Sequence, residues 1–173
     1  MTARVMDLLD QAIARDPGFA QAYAIRAGAT HLLPDYSETA RSREDLNAEA
    51  RRFAREALDI DPENSTAIAV LANTRAQESR LLGTWADYSD IIAQYTRALD
   101  IDPHDGSARN WRGLTYFNMG YLDLALADFQ ACLSQEPRYA PCAENNYDTL
   151  YALGRTGEAL AAYQESLFAG LVT

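Results

Sequence analysis

Few side chains of this sequence have the types and spacing that catalysis or metal binding requires. The two histidines, His31 and His104, lie far apart and near predicted helix ends, with no second ligand at metal spacing, so we expect surface or capping roles. Carboxylate pairs such as Asp100 and Asp102 recur in one helix-ending segment, which indicates turns and caps and not acid–base catalysis. There is no glycine-rich phosphate loop and no nucleophile-elbow serine. The sequence therefore predicts a protein that is not an enzyme and needs no metal and no cofactor.

The two cysteines have the clearest potential for covalent chemistry. Cys132 lies near the end of one predicted helix, and Cys142 lies early in the next, on the side expected to pack back against it. Their Cα atoms are therefore expected to approach the roughly 4.4–6.8 Å separation that a disulfide needs. We predict that the two residues are close, either as a disulfide or as two reduced thiols that pack like small hydrophobic groups.

A repeat of 34 residues organises the elements that carry these side chains. Gly120 and Gly154 are 34 residues apart, and Phe129 and Tyr163 have the same spacing. A fixed period of roughly 20–50 residues indicates stacked structural repeats. A helix-ending segment closed by proline recurs along the chain, at Pro17, Pro62, Pro103 and Pro137.

One stretch of the repeat has a recognisable residue pattern. Its members are Gly113, Tyr116, Ala125, Phe129 and Pro137. Their spacing resembles that of the tetratricopeptide repeat, a family of paired helices, although Arg109 and Arg112 stand where the family has Trp and Leu. Gly113 is expected to let the second helix of its hairpin approach closely, because a Cβ atom there would collide with Ala125 or its neighbours.

The resemblance implies an all-α fold: a right-handed superhelical stack of antiparallel helix hairpins, with about nine helices. We expect a single domain over residues 1–173, with an unpaired helix at 2–15 and hairpins at 18–60, 63–101, 105–135 and 138–170. In the first hairpin, Pro34 is expected to end one helix and Ser37 to begin the next. Because the helix at 2–15 lacks the first helix of its own hairpin, we expect the sequence to be a fragment of a longer protein.

The composition argues against nucleic-acid and membrane partners. The formal net charge is −10, and all 15 basic residues are arginine. Nucleic acids and anionic membranes favour clusters of lysine and arginine, and no apolar run approaches the roughly 18 residues of a transmembrane helix. We predict no nucleic-acid binding, no membrane insertion and a cytoplasmic location, with a periplasmic location open if the sequence is part of a longer chain.

The resemblance also implies where a partner binds, since the first helices of successive hairpins line a concave peptide groove in this family. The residues that match this face are Gln21, Thr66, Asn73, Gln77, Asn110, Phe117, Glu144, Asp148 and Tyr151. The family's clamp for an acidic C-terminus uses lysine and asparagine, but this chain has no lysine and places Glu144 and Asp148 on the matching faces. A basic or apolar segment is therefore favoured over an acidic C-terminus.

The leading prediction is a scaffold that binds a protein or peptide. The alternative is a self-associating regulatory or structural domain, a homodimer for instance, of a larger bacterial signalling or transcription-related protein, because an uncapped repeat exposes an apolar face. A third hypothesis is a small-molecule pocket between Trp85 and Trp111. Trp85 itself is expected either to plug the end of the core or to contact a partner.

Overall fold

The computed structural model describes residues 2–36, 41–82 and 88–171, and their regular secondary structure is α-helical throughout. The helices are α1 (Thr2–Arg15), α2 (Ala20–Tyr36), α3 (Arg43–Ile60), α4 (Ser65–Leu82), α5 (Tyr88–Ile101), α6 (Gly106–Asn118), α7 (Leu122–Gln135), α8 (Ala140–Ala152) and α9 (Thr156–Phe168). The all-α fold class predicted from the sequence is confirmed.

The helix boundaries in the first hairpin differ from the prediction. Helix α2 includes Pro34 in its last turn, although proline was expected to end the helix before this point. A proline so close to a helix end removes one backbone hydrogen bond and leaves the rest of the ladder intact. Helix α3 begins after Ser42, whose Oγ accepts a 3.0 Å hydrogen bond from the backbone N–H of Asp45. The predicted start at Ser37 lies outside the described residues.

The recurring prolines end helices as predicted. The backbone N–H groups of Asp61 and Glu136 each close the last turn of a helix with a 2.8 Å hydrogen bond to a carbonyl four residues earlier. The next residue is Pro62 in one case and Pro137 in the other, and neither has an N–H group with which to extend the ladder. Because the same device recurs, α3 and α7 end at equivalent points of their repeats.

The chain divides into two compact units, Met1–Pro103 and His104–Thr173. In the first unit, α1 packs on α2, α2 pairs with α3, and α4 pairs with α5. The two hairpins stack because α4 also packs on both α2 and α3. Large buried side chains from the paired helices fill this core, among them Leu46, Phe53, Val70, Ile91 and Tyr95.

The second unit stacks its two hairpins in the same order. Helix α6 pairs with α7 and α8 pairs with α9, while α8 packs on both α6 and α7. The predicted close approach at Gly113 is present: a Cβ atom there would lie 2.6 Å from Cε1 of Phe129. The turns between the paired helices use Gly120 and Gly154, whose φ angles of 82° and 74° fall in the left-handed region that favours glycine.

Candidate protein-binding faces

The first helices of the hairpins in the first unit, α2 and α4, carry four of the predicted binding residues. Gln21 is exposed, and its Oε1 accepts a 2.9 Å hydrogen bond from Nδ2 of Asn64. Thr66 and Gln77 are half-buried, and Oε1 of Gln77 accepts a 3.4 Å hydrogen bond from Arg43. These three residues retain surface that a partner can contact.

Asn73, the fourth, is part of a buried hydrogen-bond network that the sequence did not predict. Its side chain is 8% exposed, and its Nδ2 lies 2.8 Å from Nε2 of His31. The hydroxyl of Tyr95 donates to Asn73 Oδ1 at 3.2 Å, and Nδ1 of His31 lies 2.9 Å from Oδ1 of Asn47. The four side chains come from α2, α3, α4 and α5, so the network joins both hairpins of the unit.

The expected surface or capping role of His31 is therefore wrong, because the ring is fully buried. The hydrogen-bond partners of His31 also indicate which of its ring nitrogens carries the proton. The amide Nδ2 of Asn73 can only donate, so Nε2 of the ring accepts, and the Nδ1 proton is donated to Asn47. His104 is exposed, in agreement with the expectation for it. Neither the sequence period nor the family pattern indicates this network, since its members lie on four different helices.

In the second unit, the first helices are α6 and α8. Asn110 on α6 is 4% exposed, and its Oδ1 accepts a 2.8 Å hydrogen bond from Nδ2 of Asn145 on α8. Phe117 is half-buried and packs against the core cluster that contains Phe129 and the two cysteines. Asn110 therefore connects α6 to α8 and presents little surface, whereas half-buried Phe117 keeps part of its surface available to a partner.

Helix α8 presents the most accessible of the predicted binding residues. Glu144, Asp148 and Tyr151 are all exposed, Tyr151 by 70%, and their spacing of four and three residues places them on one face of the helix. Neither carboxylate has an ion-pair partner within the described part of the chain. Partial burial raises the pKa of Asp148. Burial, and then the two nearby carboxylates, raise the pKa of Tyr147 on the same helix.

The two arginines that depart from the family pattern have a common explanation. Asp128 on α7 is 5% exposed and accepts two hydrogen bonds from Arg112, at 2.8 Å from Nε and 2.7 Å from Nη2. Arg109 also approaches this carboxylate, with Nη1 4.0 Å from Oδ1. The bidentate pair of Arg112 and Asp128 thus joins α6 to α7. Arg112 stands where the family has Leu, and Arg109, beside the same carboxylate, stands where the family has Trp.

The two cysteines lie in the core of the second unit. Their Sγ atoms are 2.14 Å apart, as in a disulfide, and their Cα atoms are 6.4 Å apart. The bond would join the end of α7 to the start of α8. Trp111 is buried, at 8% exposure, whereas Trp85 lies outside the described residues, as does any pocket between the two tryptophans.

Comparison with known proteins agrees with this architecture. A family model described as tetratricopeptide repeat matches residues 106–139. The fold is that of a tetratricopeptide-repeat protein. The chain is similar to the crystal structure of MamA, with a TM-score of 0.61 and 14% identity over 95% of this chain and 86% of that one. It is also similar to PilW, a type IV pilus biogenesis factor, with a TM-score of 0.66 and 20% identity over 95% of this chain and 68% of that one.

A third similar structure is YrrB, described as a tetratricopeptide-repeat protein with an unusual peptide-binding site. It has a TM-score of 0.57 and 21% identity, over 97% of this chain and 77% of that one. At these identities the likeness concerns the fold. Among the described helices, none is long and apolar enough to cross a membrane. The described residues also contain no group of three or more His, Cys, Asp or Glu side chains placed to hold a metal ion.

Proposed function

We propose that this protein is a non-catalytic scaffold that binds a basic, partly apolar segment of another protein on the exposed face of α8. The observation that carries the proposal is the alignment of Glu144, Asp148 and Tyr151 on that face. His31 and the two cysteines are residue types that often take part in catalysis, but here they are buried. His31 lies in the hydrogen-bond network and the cysteines lie in the core of the second unit, which supports a non-catalytic role. A tetratricopeptide-repeat fold is consistent with a protein or peptide partner.

The chemistry of the α8 face selects the partner. Two carboxylates without an ion-pair partner among the described residues attract lysine or arginine, and the net charge of −10 steers a basic segment toward the protein. An exposed tyrosine offers a rigid apolar anchor with a polar tip, a type of side chain that often dominates binding energy. The partner is therefore expected to combine basic residues with a leucine or an aromatic side chain.

Fluorescence anisotropy with a labelled peptide of alternating lysine and leucine tests this proposal. Neutralising both carboxylates with E144Q/D148N is expected to weaken binding by about tenfold, the equivalent of roughly 1.4 kcal/mol for two partly screened ion pairs. Tyr151→Ala should weaken it further by removing the anchor. The matched control is D59N/D100N, at two exposed positions on α3 and α5 of the first unit, which changes the net charge by the same amount away from the α8 face.

Equal loss of affinity in the α8 variant and in the D59N/D100N control would show that the peptide responds only to overall charge. No binding of the basic peptide to the unaltered protein would also reject the proposal. Binding that falls in the α8 variants alone, and weakens as salt is added, supports it.

A second candidate function is self-association through α9. Leu160 and Phe168 on this helix are exposed by 58% and 95%. Large exposed apolar side chains on one helix are candidates for a protein interface. Light scattering across a dilution series tests this candidate: Phe168→Asp is expected to dissociate an oligomer, whereas a concentration-independent monomer would exclude one.

A further inference from the structure

A groove in the first unit, lined by residues of α3, α4 and α5, is rich in arginine although the protein as a whole is acidic. It is a cavity of about 190 Å³ between α3 and α5, with α4 at its base. Its apolar lining includes Leu58, Ile68 and Leu71. Four arginines also line it: Arg51, Arg55, Arg75 and Arg97. We call this cavity and its lining the arginine groove.

Two of these guanidinium groups keep their positive charge uncompensated. Arg51 forms an ion pair with Glu78, and Arg75 pairs with Asp90 at 2.7 Å. Arg97 donates to the carbonyl oxygen of Pro62 at 3.0 Å, and that oxygen carries no net charge. Arg55 is exposed and has no hydrogen-bond or ion-pair partner within the residues that the structure describes. Arg55 and Arg97 therefore give the groove a net positive charge in a protein whose net charge is −10.

The equivalent groove in the second unit shows that the repeat does not require these arginines. This cavity, of about 310 Å³, lies between α7 and α9 over α8. When the helix-ending prolines Pro62 and Pro137 are aligned, Leu133 falls on Leu58, and both line their cavities. In the second helices, aligning Ala98 with Ser166, which are buried near the ends of α5 and α9, makes Glu165 equivalent to Arg97, and Glu165 also lines its cavity. Two structurally matched grooves thus carry opposite charges at the same repeat position.

We infer that the arginine groove binds an acidic segment of a partner protein, one that combines Asp or Glu with leucine or phenylalanine. Arginine binds carboxylates through two parallel N–H···O bonds, and the apolar lining favours burial of an aliphatic or aromatic side chain. The inference is independent of the α8 face, because the lining residues lie on α3, α4 and α5 and select a partner of the opposite charge. A nucleic acid fits less well, since phosphate backbones bind to extended runs of basic side chains and only two guanidinium groups of this groove are uncompensated.

Direct binding of defined probes tests the inference. The probe is a fluorescein-labelled peptide in which glutamate alternates with leucine and phenylalanine, and the reference is the same peptide with glutamine in place of glutamate. R55E/R97E is expected to weaken binding of the acidic peptide by about tenfold or more, through loss of two guanidinium contacts and added repulsion. The matched control is R4E/R15E on α1, which changes the net charge by the same amount as R55E/R97E, and circular dichroism confirms that each variant folds.

Three results would overturn the inference. The first is equal binding of the glutamate and glutamine peptides, which would show that carboxylates are not recognised. The second is an equal loss of affinity in R55E/R97E and in R4E/R15E. The third is preferential binding of a labelled single-stranded oligonucleotide at Arg55 and Arg97. Loss confined to the groove variant supports the inference, and E144Q/D148N should leave the acidic peptide bound, which separates this groove from the α8 face.

Discussion

The contact between Gly113 and Phe129 gives the sharpest test of how the second unit packs. A Cβ atom at Gly113 would lie 2.6 Å from Cε1 and 2.9 Å from Cζ of Phe129. The phenylalanine ring is fully buried in the core cluster, so it cannot move away without displacing its neighbours. Gly113→Ala therefore forces α6 and α7 apart or drives the ring from its preferred rotamer.

The size of the effect follows from two opposing terms. Overpacking by one methyl group costs about 1–3 kcal/mol, while replacing glycine with alanine inside a helix stabilises it by about 1 kcal/mol. Because the ring that clashes is fully buried, we place the overpacking cost at about 2–3 kcal/mol, so we expect a net loss of about 1–2 kcal/mol for Gly113→Ala and several kcal/mol for Gly113→Leu. The corresponding fall in Tm for the alanine variant is at least about 3 °C, measurable by calorimetry.

Gly157 provides the matched control. It lies in the first turn of α9, and a Cβ atom there would meet nothing within 4 Å. Gly157→Ala is expected to leave stability unchanged or raise it by up to about 1 kcal/mol. A Gly113→Ala variant as stable as Gly157→Ala would refute the packing argument. So would the absence of coupling between Gly113→Ala and Phe129→Leu, since residues in contact do not add independently.

Three further predictions address the other buried contacts. Thiol titration in denaturant without reductant should find neither Cys132 nor Cys142 free. Reduction should lower stability by about 3 kcal/mol, because it opens a loop with a sequence separation of 10 residues; two reactive thiols before reduction would exclude the bond. Asp128→Asn should destabilise by about 3 kcal/mol in urea unfolding, because it leaves the Arg112 guanidinium facing a neutral amide, and an unchanged midpoint would contradict this. Asn73→Ala should lower stability by about 1–3 kcal/mol with no direct effect on peptide affinity, whereas a loss of affinity at unchanged stability would identify it as a binding residue.

The sequence predicts the architecture well because the repeat restrains it at many positions. Helix order, the turn glycines, the prolines after α3 and α7 and the close approach at Gly113 all follow from the 34-residue period and from the conformational limits of Gly and Pro. The extent of α2 beyond Pro34 does not follow, since a proline in the last turn of a helix removes a single backbone hydrogen bond and does not have to end the helix.

The polar contacts between helices could not be predicted from the sequence. His31 binds partners on two other helices, and these lie 16 and 42 residues away along the chain, without a spacing that marks them as neighbours. The pairing of Arg112 with Asp128 is also hidden, because it replaces an apolar contact that the family pattern leads one to expect. Such contacts depend on which side chains meet across helices, and a period in the sequence restrains only the backbone that carries them.

Comparison of repeats within the chain offers a physical criterion for binding positions. Buried positions without a polar partner are limited to side chains of similar size and polarity, as the equivalent residues Ala50 and Ala125 illustrate, both fully buried. A position that borders a groove has no such limit, which is why Arg97 and Glu165 can be equivalent in the repeat and opposite in charge. Charge that differs between structurally matched grooves is therefore not dictated by the fold, and the peptide-binding measurements on R55E/R97E test whether a partner uses it.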